Sequence, residues 1–490
     1  MHSQPTKDSK TFRPNSHSYT YTTELSIEYT LLLSSSIAFR PMKTLPVNLF
    51  ADLLNVSRAT VEAWIRNGKY SVHKAADGKR YFQLSDLKDI PEIKAMLSTH
   101  WDEELKIQPH NIYTSVELFA GGGGLALGME KAGFHHLLLN EMDHAACQTL
   151  QKNRPQWKVI EGDIHEIDFT PLRDKVDFLS GGFPCQAFSY AGKRLGFEET
   201  RGTLFFEMAR AIKEIQPKVF LGENVRGLLE HDKGRTLQTI KDVISELGYT
   251  LIEPRVLRSI QYNVPQKRER LILIGIRNDI APHVTFQWPD VCPKIQTLRD
   301  AFYKGCLYDT DVPPSAGQKY PENKRKVMEL VPEGGNWKDL PDEVAKEFMK
   351  GSYELGGGKT GMARRLAMDE PSLTLTCAPA QKQTERCHPI ETRPLTVREY
   401  ARIQTFPDDW HFEGTLSAQY KQIGNAVPVN LAWAIGRSLI RLLNSLPAKA
   451  DNTLQKEVHD VKPQVKMHGI FEGMLCEKKT VYGNDTAADL

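Results

Sequence analysis

Between residues 113 and about 278, short apolar segments alternate with amphipathic segments of helical periodicity. This alternation constrains the fold more than any other feature, because strands joined by crossover helices form a mostly parallel sheet covered on both faces. The apolar segments predict strands at 113–119, 136–141, 157–161, 176–180, 219–223, 250–257 and 271–276. The sequence therefore predicts a Rossmann-like α/β domain, whose ligands bind outside the carboxyl ends of its strands.

The remainder of the chain differs in character from this α/β segment. With 490 residues, 40% hydrophobic and 25% charged, the chain is long enough for two or three globular domains. The pattern predicts a disordered leader at 1–41, a small helical domain at 42–100, the α/β domain at 111–289, a loop-rich domain at 290–392, a C-terminal part of the α/β domain at 393–446, and a disordered tail at 447–490. The formal charge of +2 means that any affinity for nucleic acid must come from local basic clusters.

Cysteine content and hydropathy limit the compartment and the class of site. The seven cysteines include no Cys-x-x-Cys pair, which argues against a disulfide framework or a structural zinc site. The apolar run at Leu31-Leu32-Leu33 is too short to span a bilayer. We expect a cytoplasmic protein with no metal site and no membrane association.

Residues 45–97 predict a small module of two short helices, a hairpin and a further helix. Ser57 is placed to cap the second helix, from Arg58 to about Asn67, Asp77-Gly78 is a hairpin turn signal, and the last helix is predicted from Ser85. The arrangement resembles the winged helix-turn-helix domains of excisionases, and this resemblance implies DNA binding. The alternative is a helical packing domain that makes no DNA contact.

A glycine turn after the first predicted strand indicates a nucleotide site. Glycines let the backbone approach a ligand, and the helix that follows offers N–H groups at its start. Glu141, at the end of the second strand, is placed to accept ribose hydroxyls, and Asp163, after the third, to accept an adenine amine. The predicted contacts at this end of the site are Phe119, Ala120, Gly121, Gly123, Glu141, Met142, Asp163 and Ile164. The alternative is that both acids merely cap the next helices.

Residues suited to covalent chemistry follow the later strands. Cys185, in Gly-Gly-Phe-Pro-Cys-Gln-Ala-Phe-Ser at 181–189, comes just after a predicted strand, where a thiol is placed to act as a nucleophile. The alternative for a lone cysteine is a small buried hydrophobe. Glu223 lies at the end of the fifth predicted strand. Arg268 and Arg270 open the last predicted strand two positions apart, so both arginines point to one face.

Read together, these motifs resemble the DNA (cytosine-5)-methyltransferases. The series runs in one order through the glycine turn, Glu141, Asp163, Gly-Phe-Pro-Cys-Gln, Glu223-Asn224-Val225, Gln-x-Arg-x-Arg at 266–270, Arg-Pro-Leu-Thr-Val-Arg-Glu at 393–399 and Gln-Ile-Gly-Asn-Ala-Val-Pro at 422–428. The resemblance implies S-adenosylmethionine as cofactor, with Asn425 and Val427 closing its pocket. It also implies that Cys185 adds to C6 of a flipped cytosine, that Glu223 holds N3 and the amino group, that Arg270 binds O2, and that Arg268 assists the loop or a phosphate.

The resemblance also implies that residues 290–392 recognise the target sequence, with Arg364, Arg365, Lys382 and Arg386 as candidate DNA contacts. The expected partner is double-stranded DNA, with a companion restriction endonuclease, and the expected state is a monomer. Two other functions stay open. One is a tRNA cytosine-5 methyltransferase on the same scaffold, and the other is a DNA-binding regulator whose methyltransferase body is inert.

Overall fold

The computed structural model describes residues 42–76, 78–183, 204–354 and 360–447. The first described part of the chain is what we call the N-terminal module, residues 42–104. Its elements are β1 (Thr44–Pro46), α1 (Val47–Leu54), α2 (Arg58–Arg66), β2 (His73–Lys74), β3 (Arg80–Gln83), α3 (Pro91–Leu97) and α4 (Trp101–Glu104).

The module confirms the two predicted helices and the hairpin. The Ser57 side chain accepts a hydrogen bond from the Thr60 backbone N–H at 3.0 Å, as a cap of α2 does. The three strands form an antiparallel sheet in the order β1-β3-β2. Where a helix is predicted from Ser85, the structure has a short 3₁₀-helix, Leu84–Leu87, and the α-helix begins later at Pro91, a residue favoured at the first helical position. That the module binds DNA stays a prediction.

An eight-stranded sheet is the centre of the molecule. Its strands are β4 (Tyr113–Leu118), β5 (Phe134–Glu141), β6 (Val159–Glu161), β7 (Phe178–Gly182), β8 (Val219–Val225), β9 (Tyr249–Leu251), β10 (Arg255–Arg258) and β12 (Glu269–Arg277). The order is β10-β12-β8-β7-β4-β5-β6, with β9 also paired to β12. The strands β4 to β8 are parallel, and β12 runs antiparallel to β8. The start of β12 therefore lies at the edge where the parallel strands end.

The predicted mostly parallel α/β sheet is confirmed, with one correction. The single strand expected at 250–257 is two short strands, β9 and β10. Pro254 lies between them, and its lack of an N–H interrupts ladder pairing.

Helices cover both faces of the sheet. They are α5 (Gly124–Ala132), α6 (His144–Asn153), α7 (Leu204–Ile215), α8 (Arg235–Glu246), α12 (Val397–Ile403), α13 (Leu416–Asn425) and α14 (Val429–Asn444). Neighbouring strand residues point to opposite faces: Leu138 packs in the core that contains α7 and α8, whereas Leu139 packs in the core that contains α5 and α12. Among the described residues, one helical stretch, Leu416–Asn444, is long and apolar enough to cross a membrane, but 83% of its apolar window is buried inside the protein.

Residues 290–392 are loop-rich, as the sequence predicts. They contain α9 (Leu298–Phe302), α10 (Glu322–Glu329), α11 (Asp342–Met349) and the two-residue strand β13 (Ser372–Leu373), which pairs with β11 (Gln266–Lys267). Met328, Val331, Leu340, Ala345, Ala363 and Cys387 form a small core of their own. Other residues of the segment, such as Phe302 and Leu375, pack in the core that contains α5 and α12. The domain boundaries stay a prediction.

Candidate active site

A cavity of about 500 Å³ opens where β4, β5, β7 and β8 end. This volume is within the range of small-molecule sites, and the position is where open α/β sheets bind ligands. The cavity brings together many of the residues predicted from the sequence, namely Phe119, Ala120, Gly121, Glu141, Met142, Asp163, Ile164, Glu223, Arg268, Arg270, Asn425 and Val427.

The glycine turn after β4 forms one wall of the cavity. Its backbone has positive φ at Phe119 (58°), Gly121 (54°) and Gly123 (86°). The two glycines adopt this conformation without steric strain. A Cβ on Gly124 would lie 2.3 Å from the carbonyl oxygen of Val427. The glycines thus let the start of α5 press against the segment that joins α13 to α14, which brings Val427 into the same site.

Glu141 ties this turn to the end of β5. Its Oε2 accepts a hydrogen bond from the Gly121 N–H at 2.7 Å, while Oε1 accepts from the Met142 and Asp143 N–H groups at 2.9 and 2.8 Å. Glu141 therefore binds N–H groups of the loop before α6 but does not cap that helix, whose cap is Asp143, and it also lines the cavity. The neighbouring Met142 side chain is 73% exposed, which leaves its surface open to a ligand.

Asp163 also accepts a hydrogen bond from a backbone N–H group and lines the cavity. Its Oδ1 accepts from the His165 backbone N–H at 3.0 Å and contacts His165 Nδ1 at 2.6 Å. These hydrogen bonds from His165 lower the pKa of Asp163. A carboxylate held ionised at the cavity wall is suited to accept a hydrogen bond from a ligand amine.

Glu223 and Arg270 form an ion pair on the opposite side of the cavity. Arg270 Nε lies 2.5 Å from Glu223 Oε1, and the two side chains are only 11% and 12% exposed. The antiparallel pairing of β12 with β8 brings them together. Glu223 is paired with Ile272, and Arg270, two residues before Ile272 in β12, points to the same face of the sheet. Burial lowers the pKa of Arg270, and the Glu223 charge opposes that effect. The pair presents a carboxyl group and a guanidinium together, which suits recognition of a polar ring edge.

Arg268 differs from Arg270 in what it contacts. Its guanidinium donates to the backbone carbonyls of Leu375, Gly424 and Asn425 at 2.9 to 3.3 Å. Burial lowers the pKa of Arg268 to about 9. Arg268 therefore fixes the segment of Asn425 against the cavity.

The predicted nucleophile lies outside the described residues, as do Gln186 and Ser189. Phe183, the last described residue before that gap, lines the cavity, and its carbonyl accepts a hydrogen bond from Asn224 Nδ2 at 2.8 Å. A Cβ on Gly182 would lie 2.9 Å from Glu223 Oε2. Gly182 therefore lies beside Glu223, and Cys185 is two positions beyond Phe183 in the sequence.

Two side chains near the cavity were not predicted from the sequence. Glu117, in β4, lines the cavity, is 1% exposed and has a pKa raised to about 8 by burial. His165 holds Asp163, and its Nε2 lies 3.6 Å from Glu207 Oε1. The available signal for Glu117 is that it is the one charged residue of the buried strand β4.

Two of the four basic residues predicted to contact DNA have structural partners instead. Arg365 is 4% exposed and donates to several carbonyls, among them that of Val331 at 2.8 Å. Arg386 is 5% exposed and donates to the carbonyl of Thr374 at 2.5 Å. These two predictions are wrong, because both guanidiniums are used inside the fold; Arg364 is half-buried and Lys382 is exposed.

The family model described as C-5 cytosine-specific DNA methylase matches residues 113–441. The chain belongs to this family. The type II methyltransferase M.Eco47II of Escherichia coli is 62% identical over 397 residues, covering 81% of this chain and 95% of that protein. M.PspPI of a Psychrobacter strain is 58% identical over 405 residues, covering 81% of this chain and 96% of that protein. M.Sau96I of Staphylococcus aureus is 46% identical over 412 residues, covering 83% of this chain and 90% of that protein.

As a C-5 cytosine-specific DNA methylase, the chain uses S-adenosylmethionine as its methyl donor. The residues present fit this group. The cavity is large enough, the glycine turn allows close approach of the backbone, and the carboxylates of Glu141 and Asp163 stand at its wall. Glu223 and Arg270 line another part of the same cavity, so that cofactor and base are expected to meet within it.

Proposed function

We propose that the chain is the modification methyltransferase of a type II restriction–modification system, acting in the cytoplasm. On this proposal it methylates C5 of one cytosine within a short duplex sequence, and so protects that DNA from a companion endonuclease. The identity of 62% to M.Eco47II, a protein named as a type II methyltransferase, supports the proposal because it extends over 95% of that protein.

The observation that carries the proposed chemistry is the buried Glu223–Arg270 pair beside the end of β7. Phe183 lines the same cavity, and Cys185 is two positions beyond it in the sequence, which supports Cys185 as the nucleophile. A cytosine ring offers N3, an exocyclic amino group and O2 along one edge. Glu223 is assigned to N3 and the amino group, and Arg270 to O2.

Covalent addition activates C5. The Cys185 thiolate forms a bond to C6, the electron pair of the C5–C6 double bond becomes available at C5, and Glu223, which enters this step protonated and not as the ion-paired carboxylate, donates its proton to N3. The cofactor, when bound, supplies the electrophilic methyl group that C5 takes up. Water removes the C5 proton, the bond between C6 and sulfur breaks, and Glu223 recovers its proton, so that 5-methylcytosine and the thiolate are released.

The target base must leave the duplex for this chemistry. Within the stack, C5 and C6 are covered by neighbouring bases, and extrusion of a nucleotide costs about a few kcal/mol. The ion pair of Glu223 and Arg270 contributes to offsetting that cost, because buried charged groups bind a complementary base edge strongly.

The test is methyl transfer from labelled S-adenosylmethionine to unmethylated duplex DNA and, in parallel, to tRNA, with products mapped by bisulfite sequencing. We expect 5-methylcytosine at one short DNA sequence, and none with Cys185→Ser, which retains cofactor binding. Labelling of tRNA alone would reassign the chain to RNA. Cofactor binding without transfer to either substrate would favour the regulator alternative.

A further inference from the structure

The N-terminal module is attached to the same edge of the sheet that holds the cavity. Lys267 Nζ lies 2.6 Å from Asp52 Oδ1 at the end of α1, in a pair that is largely buried. Asn55 Nδ2 donates to Glu269 Oε1 at 3.3 Å. Glu269 directly precedes Arg270 in β12, so the turn that leads into α2 lies at the same end of β12 as the proposed base pocket, although the two side chains point to opposite faces of the sheet.

The same side of the module also contacts the loop-rich segment, since Asn48 lies one turn before Asp52 in α1. Lys79 Nζ pairs with Asp369 Oδ2 at 3.2 Å, and Asn48 Nδ2 donates to the Asp369 carbonyl at 3.4 Å. The module thus touches both β12 of the central sheet and residues 290–392, the segment expected to read the target sequence. Contacts with these two parts of the protein, joined through Glu370, fix its orientation relative to the cavity.

The outer face of α2 is basic. Arg58 is 69% exposed and Arg66 is exposed as well. Lys69, three positions beyond the end of α2, is also exposed, with its ammonium 4.5 Å from the centre of the Trp64 ring. The one acidic side chain on this face, Glu62, is bound by Arg80 from β3, and Arg58 also lies 3.7 Å from it. We name Arg58, Arg66 and Lys69 the α2 basic face. With Glu62 neutralised by Arg80, this face retains a net positive charge at the surface.

We propose that the α2 basic face binds backbone phosphates of duplex DNA beside the target site during methylation. The inference rests on the proposed function in that the substrate is duplex DNA. The module lies at the sheet edge that bears the cavity. A duplex whose base enters the cavity is therefore expected to contact the module. Phosphate contacts by exposed arginine and lysine add affinity without reading sequence. The module thus belongs to the methylation complex.

The test compares Arg58→Gln/Arg66→Gln with a matched double variant, Lys106→Gln/Lys175→Gln. Lys106 and Lys175 are exposed and precede β4 and β7, at the edge opposite the cavity. Binding of a fluorescent duplex of about 30 base pairs is followed by anisotropy over a salt series. Loss of two phosphate contacts lowers the slope of log affinity against log salt by about 1.8. We expect DNA affinity to fall at least ~10-fold in the α2 variant near 0.1 M salt, and KM for DNA to rise with kcat unchanged.

Trimming the duplex on one side of the target provides a second readout. We expect wild type to lose affinity when the flank under α2 is removed, and the α2 variant to be insensitive to the same trimming. Equal behaviour of the two double variants would overturn the inference. So would a fall in thermal stability or kcat in the α2 variant, which would make the face structural. If wild type transfers no methyl group but the binding difference persists, the proposed function fails and the phosphate contact stands.

Discussion

Replacing Glu117 with glutamine is expected to change how the stability of the protein depends on pH. Glu117 lies in β4 beside the cavity, and in the described structure its carboxylate accepts from Ser180 Oγ at 3.2 Å. Burial raises its pKa from 4.5 to about 8. The carboxyl group is therefore mostly protonated at neutral pH in the folded protein and ionised in the unfolded chain.

The sign of the effect follows from this difference. A carboxyl group with a raised folded pKa binds more protons in the folded than in the unfolded state between about pH 4.5 and pH 8, so its contribution to stability falls as pH rises through that window. Each pH unit changes the free energy of unfolding by about 1.4 kcal/mol. Glutamine cannot ionise, and its amide retains a hydrogen bond with Ser180. Between about pH 5.5 and pH 7, Glu117→Gln should therefore gain about 2 kcal/mol of stability relative to wild type.

Urea unfolding followed by tryptophan fluorescence, at several pH values across this window, measures the difference. The variant Glu166→Gln, at an exposed carboxyl group, controls for the general loss of a negative charge. Parallel stability profiles for wild type and Glu117→Gln would refute the reasoning, because they would mean that Glu117 ionises alike in both states. A difference that shrinks as pH rises would refute it as well.

Two further predictions concern packing and catalysis. In Gly128→Ala the added Cβ would lie 2.3 Å from Ala432 Cβ, so we expect a loss of about 1–3 kcal/mol in a thermal unfolding comparison with Gly227→Ala, where no described atom lies within 4 Å of the new Cβ. Arg270→Lys removes the guanidinium that pairs with Glu223 at 2.5 Å, and we expect single-turnover methyl transfer to fall about 100-fold while S-adenosylmethionine affinity is retained. Unchanged transfer would exclude Arg270 from the base pocket.

The fold was predictable because its strands are buried on both faces and appear in the sequence as apolar runs. Hydropathy alone gives one apolar run at 250–257, whereas the break between β9 and β10 follows from Pro254, which has no N–H for ladder pairing. The cavity residues were predictable for a related reason: Glu141 ends β5, Glu223 lies two residues before the end of β8, and parallel strands all end at one edge. Glu117 was not found, because its depth beneath that edge depends on how β7 and β4 pair.

The arginines show where prediction from sequence stops. Arg365 and Arg386 have the charge of DNA contacts, yet both donate to backbone carbonyls inside residues 290–392. A segment with so little regular structure leaves many carbonyls without ladder partners, and buried carbonyls need donors. A guanidinium supplies five N–H groups in a rigid fork, which suits that task. In a loop-rich domain, basic residues are therefore divided between building the fold and binding phosphate, and only burial separates the two uses. By this criterion the exposed Lys382 remains a candidate for DNA contact, whereas Arg365 holds together the loops that would present such contacts.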